Sequence, residues 1–136
     1  MDFWSAKIFI FNSVFQIAKK ILIVEYEKSL LKLESILLTS NGFHVEGVTT
    51  GTAALQAAVH VAPDLVLLNV MLPGLDGFEV CKQIKNHPKT RHIPLIMLNA
   101  RKEPEDVLHG KQVGADQYIT KPFRSAMVVE SIKRLV

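Results

Sequence analysis

Five short runs of apolar, often β-branched residues recur along this chain, and segments of helical periodicity separate them. That alternation limits the fold more than any single residue does. Ile21-Leu22-Ile23-Val24, Phe43 to Val48, Leu65 to Leu68, Pro94 to Leu98 and Gln117 to Thr120 read as strands. Uninterrupted apolar runs such as the first and third suit strands covered on both faces, as in parallel sheets. A helix from about Lys28 to Ser40 carries Leu30, Leu31, Leu33, Ile36, Leu37 and Leu38, and Asn41-Gly42 stops it. Thr49 or Thr50 caps a second helix running to about Val61. Further helices are predicted from Phe78 to Asn86, Pro104 to Val113 and Ser125 to Val136. Strands and helices in strict alternation make an α/β domain with a parallel sheet. Right-handed crossovers leave few topologies open. The doubly wound order 2-1-3-4-5 suits the length, and it puts a ligand crevice at the carboxyl ends of strands 1 and 3.

A chain of 136 residues is one domain's worth and can bury a core without disulfides or metal. One cysteine, Cys81, excludes an internal disulfide and fits a reducing compartment. His44, His60, His87, His92 and His109 show no metal-ligand spacing. A net charge of +3, carried by scattered basic pairs, gives no reason to expect nucleic acid. No apolar run is long enough for a spanning helix. Residues 1–18 are set apart by Phe3, Trp4, Phe9, Phe11 and Phe15. They lack the basic start and small-residue cleavage site of a signal peptide. Ser5, Asn12, Gln16 and Lys19 share one helical stripe, which suggests an amphipathic helix, whereas Lys7 to Phe11 suits an extended arm equally well. The chain divides accordingly into a hydrophobic extension, 1–18, and one domain, 19–136. So many aromatic residues call for cover by the domain, a neighbour or, less in keeping with the few basic residues, a membrane surface.

Two segments carry a resemblance to a known family. Asp64-Leu65-Val66-Leu67-Leu68-Asn69-Val70-Met71-Leu72-Pro73-Gly74-Leu75-Asp76-Gly77 resembles the phospho-acceptor strand and following loop of response regulator receiver domains. Gly114-Ala115-Asp116-Gln117-Tyr118-Ile119-Thr120-Lys121-Pro122-Phe123 resembles their fifth strand and its end. The likeness runs from about Lys20 to Val136. It implies a flavodoxin-like fold, a cis bond between Lys121 and Pro122, a cytoplasmic location and a place in two-component or phosphorelay signalling. In the family, two adjacent acids end the first strand and hold Mg²⁺; the matching residues are Glu25 and Tyr26. The acceptor aspartate is matched by Asn69, and the switch hydroxyl after the fourth strand by Asn99. Lys121 and the aromatic switch position, Tyr118, are kept.

These changes all weaken the same chemistry. An amide is a poor nucleophile. Mg²⁺ favours charged oxygens in octahedral array, and Glu25 is the one acid left at the family's positions. The expectation is a degenerate pseudo-receiver: no catalytic residue, no enzyme activity, no cofactor, Mg²⁺ binding lost or weak, and signalling by protein–protein interaction. Tyr26 is expected either to fill the space of the metal or to lie on the surface. Lys121 is expected to be held by Glu25, by the Asn69 amide oxygen, or by both. Asp76 reads as a turn residue. The partner face would be the fourth helix, fifth strand and fifth helix, around residues 102–113, Tyr118 and residues 125–136. Its occupant would be a histidine kinase, an output protein or a second copy. The competing reading is a conventional phosphorylatable receiver with an unusual or engineered acceptor. An enzyme using the crevice has less support, since Glu25-Tyr26-Glu27 would repel phosphate and no Gly-rich loop follows strand 1.

Overall fold

The computed structural model describes residues 2–3 and 18–136. The extension expected over residues 1–18 therefore lies almost wholly outside the described residues. From Lys20 onward the elements are β1 (Lys20–Val24), α1 (Lys28–Ser40), β2 (His44–Val48), α2 (Gly51–Val61), β3 (Leu65–Asn69), α3 (Gly77–Asn86), β4 (Leu95–Asn99), α4 (Pro104–Gln112), β5 (Gln117–Thr120) and α5 (Ser125–Leu135). The strands form one parallel sheet in the order β2-β1-β3-β4-β5. This is the topology expected from the alternation of apolar runs.

The pleat sorts the sheet's side chains between two cores. Leu22, Val24, Val66, Leu68, Leu95 and Met97 pack on one face with Ala54, Ala58, Phe78, Val80, Cys81 and Ile84 from α2 and α3. Ile21, Ile23, Leu65, Leu67, Ile96, Leu98 and Ile119 pack on the other with Leu38 of α1 and Val128, Val129 and Ile132 of α5. All five residues of β3 and of β4 are buried, as central strands of a doubly covered sheet must be.

Local chemistry fixes the element ends. The Thr50 hydroxyl accepts from Ala53 N at 3.3 Å and opens α2. Asp76 does the same for α3, accepting from Phe78 N at 2.9 Å, so its turn role is the observed one. Gly42, after α1, takes the left-handed conformation at φ 89°. Gly77 lets α3 start hard against the exit of β3: a Cβ there would lie 2.5 Å from Val70 Cα. The Lys121–Pro122 bond is cis, as the resemblance implied.

Candidate functional site

The ends of four strands meet at the carboxyl edge of the sheet. Glu25 follows β1, Asn69 ends β3, Asn99 ends β4, and Lys121 follows β5, with its backbone N–H bonded to Asn99 O at 2.8 Å. Glu25, Asn69 and Asn99 are buried, at 4%, 1% and 1% exposure. Polar side chains this deep need partners, and tracing the partners divides the site in two.

Asn69 continues the row of Leu65 and Leu67, on the α1/α5 side of the sheet. Its Nδ2 donates to Val24 O at 3.3 Å and lies 3.4 Å from both carboxylate oxygens of Glu34. Three acceptors around one nitrogen settle the amide's orientation, because the flipped amide would set oxygen against oxygen. Glu34 comes from the middle of α1. Burial, and then the nearby charge of Glu25, push its carboxyl up to about 7, against the opposing pull of Lys121 and the Asn69 hydrogen bond. Burial likewise raises Glu25, which Lys121 and the Tyr26 backbone N–H pull back. The half-site is thus two acids, Glu25 buried and Glu34 half-buried, in the field of one lysine, with an amide between the strand ends.

Asn99 continues the row of Leu95 and Met97, on the side of Tyr118. Its Oδ1 accepts from Arg101 N at 3.3 Å, and the Tyr118 hydroxyl donates to Arg101 O at 2.6 Å. Both backbone groups of Arg101 are therefore taken by side chains of the site. Gly110 of α4 gives the Tyr118 ring its room, since a Cβ there would lie 2.8 Å from Tyr118 Cδ2. Burial raises the Tyr118 phenol, and the Asn99 side chain opposes the shift. Asn69 Oδ1 and Asn99 Nδ2 are both buried and find no hydrogen-bond partner among the described residues.

Of the two alternatives for Tyr26 the surface one is observed, and the expected partners of Lys121 need correction. Tyr26 does not fill the pocket: it is 53% exposed and lines an open hollow with Val70, Leu72, Pro73, Asp76 and Arg101. Nor does Lys121 pair directly with Glu25 or with the Asn69 oxygen. No ion pair within 4.0 Å joins it to Glu25 among the described residues, and its effect on the acids is felt through space. The residue that sequence reasoning passed over is Glu34. It sits four residues before Leu38 in a helix whose apolar residues run nearly all the way round, so periodicity gave little sign of which side it would take.

The family profile described as Response regulator receiver domain matches residues 21–133. This chain belongs to the response regulator receiver domain family. It is 41% identical over 118 residues to the alkaline phosphatase synthesis transcriptional regulatory protein PhoP of Bacillus subtilis, covering 87% of this chain and 48% of that protein. It thus spans about half the length of that relative, or less in the case of the Caulobacter vibrioides response regulator PleD, at 26%. A receiver domain of a signal transduction histidine kinase from Syntrophus aciditrophicus superposes with a TM-score of 0.81 at 34% identity, over 87% of this chain and 89% of that one. The PA1611 receiver of Pseudomonas aeruginosa, solved with a magnesium ion in its active-site cleft, gives 0.80 at 28% identity, over 88% and 98%. The chain is a receiver-domain signalling module of two-component systems, on the flavodoxin-like fold. Among the described residues, no helix is long and apolar enough to cross a membrane.

Proposed function

We propose that this receiver is a pseudo-receiver, signalling without phosphorylation and without enzymatic activity of its own, through protein–protein contact in a two-component or phosphorelay pathway of the cytoplasm. The observation that carries this reading is the amide at position 69, with its N–H side turned to Val24 O and Glu34. Phosphoryl transfer to a receiver needs a carboxylate oxygen to attack phosphorus and cations to absorb the charge of the transferring group. Asn69 offers no such oxygen.

Mg²⁺ fits the donor set poorly. Of the paired acids at the end of β1, Glu25 remains and Tyr26 is turned outward. Asn69 presents hydrogen towards Glu34, and Lys121 already supplies positive charge to both acids. Among the described residues no group of three His, Cys, Asp or Glu is placed to hold a metal. On this reading Glu25, Asn69, Asn99 and Lys121, with Tyr26 at the rim, are a degenerate phospho-acceptor pocket with no catalytic and no metal-binding role.

Output falls to the face of α4, β5 and α5. Leu108 and Met127 are exposed on the two helices, at 55% and 42%, and Tyr118 belongs to the strand between them in the chain. The partner is a histidine kinase or an output protein, with a second copy of the chain as the other occupant to test. Affinity for the cognate kinase is expected to be the same before and after treatment with acetyl phosphate and Mg²⁺. Tyr118→Ala should weaken it about tenfold, as loss of an aromatic anchor at an interface does, and Asn69→Ala should leave it unchanged. A kinase affinity that responds to the phosphodonor, or to Asn69→Ala in a folded protein, contradicts this reading.

A further inference from the structure

We propose that Glu34 is a second lock on the pocket: a carboxyl group brought in from α1 that holds the amide of Asn69 and bars position 69 from phosphoryl chemistry even when an aspartate is put back there. This role for Glu34 rests on the pseudo-receiver reading and names the residue that enforces it.

Packing alone gives no reason for an acid at position 34. Glu34 lies one turn before the buried Leu38 and is half-buried itself, in an apolar hollow that Leu30, Leu37, Lys121 and Phe123 also line, while Leu33 and Ile36 are 63% and 56% exposed. Placing a half-buried carboxyl group among apolar side chains costs desolvation that an apolar residue would not incur. Asn69 offsets part of that cost, its Nδ2 sitting 3.4 Å from each of the Glu34 oxygens. The carboxylate that a phospho-accepting pocket carries on β3 is, in effect, carried here on α1, and the amide takes its place on the strand.

That exchange has a chemical consequence at position 69. An aspartate there would meet Glu34 Oε1, Glu34 Oε2 and Val24 O, the acceptors that now surround the Asn69 nitrogen. Oxygens so placed, with no hydrogen among them, repel, and each of two neighbouring, largely desolvated carboxylates disfavours the other's charge. An acid that has lost its charge is a weak nucleophile. The incoming phosphoryl group is itself anionic, so the Glu34 charge opposes its approach as well. Lys121 faces Glu25 and Glu34 together and cannot neutralise both.

The test uses the full chain with acetyl phosphate and Mg²⁺, read by intact mass for one added phosphoryl group. In a variant with a carboxylate at position 69, attack of its oxygen on phosphorus would release acetate and leave an acyl phosphate. The double variant Tyr26→Asp with Asn69→Asp restores the family's acids but keeps Glu34. Adding Glu34→Leu, or Glu34→Gln to keep the side chain's volume, should raise the labelling rate at least tenfold over that double variant. Folding of each protein is checked by its circular dichroism melt, and Glu34→Gln decides the matter if Glu34→Leu does not fold. Equal labelling with and without Glu34 overturns the proposal. So does the absence of label in every folded variant, which would place the block elsewhere. Labelling of the unaltered protein is a separate result, and it would overturn the pseudo-receiver reading instead.

Discussion

At the residue scale, Glu34 and Asn69 show how one amide can reorganise a pocket. Asparagine at 69 needs acceptors for its N–H₂ group, and Glu34 supplies two oxygens at a distance long for a hydrogen bond. The contact is weak, so the carboxyl's burial outweighs it and holds its pKa at about 7, above the ordinary 4.5. The sign of the pH dependence follows. Below 4.5 the group is protonated in folded and unfolded chains alike, and it carries no penalty. As pH rises from 4.5 through 7 the unfolded chain ionises first, and stability falls; above about 7 the loss is complete. Glu34→Gln removes the titrating group and keeps an oxygen for Asn69. Its midpoint in urea at pH 8.5 should exceed that of the unaltered protein by the equivalent of roughly 1–3 kcal/mol, and the two should coincide near pH 4. A variant less stable than the parent at pH 8.5 would show that the Glu34 charge is well paired after all.

At the scale of elements, the strands were legible and one helix face was not. Apolar runs of four or five residues between turn signals marked β1, β3 and β4 to within a residue, because strands covered on both faces admit little else. The leucine run of α1 carries apolar residues nearly all the way round, so periodicity alone did not choose the buried side. Packing against β1 and α5 chose Leu38 and left Leu33 and Ile36 in solvent, which turned Glu34 inward. For Tyr26 the sequence left pocket and surface open, and the phenol lies on the surface. The β4–α4 connection makes a prediction of its own. Asn99 and Tyr118 hold both backbone groups of Arg101, and the ring depends on Gly110 for room. Gly110→Ala should push the ring out and break the 2.6 Å bond to Arg101 O. Faster amide exchange in residues 100–103, with a stability loss of about 1–3 kcal/mol, is the expected outcome. Unchanged exchange would mean that the loop is held by other contacts.

At the scale of the molecule, the pseudo-receiver reading holds the framework of a phosphorylatable receiver in one state. A ligand shifts an equilibrium only by binding two states unequally, and on that reading a phosphoryl group has no attachment in either. Beryllofluoride with Mg²⁺ should therefore leave the amide spectrum from Asn99 to Tyr118 unchanged; concerted shifts across α4 and β5 would show a working switch. The central claim, that position 69 takes no phosphoryl group, is tested most directly by mass. After incubation with acetyl phosphate and Mg²⁺, the intact protein should keep its mass. A gain of one phosphoryl group, lost on treatment with hydroxylamine, would contradict it.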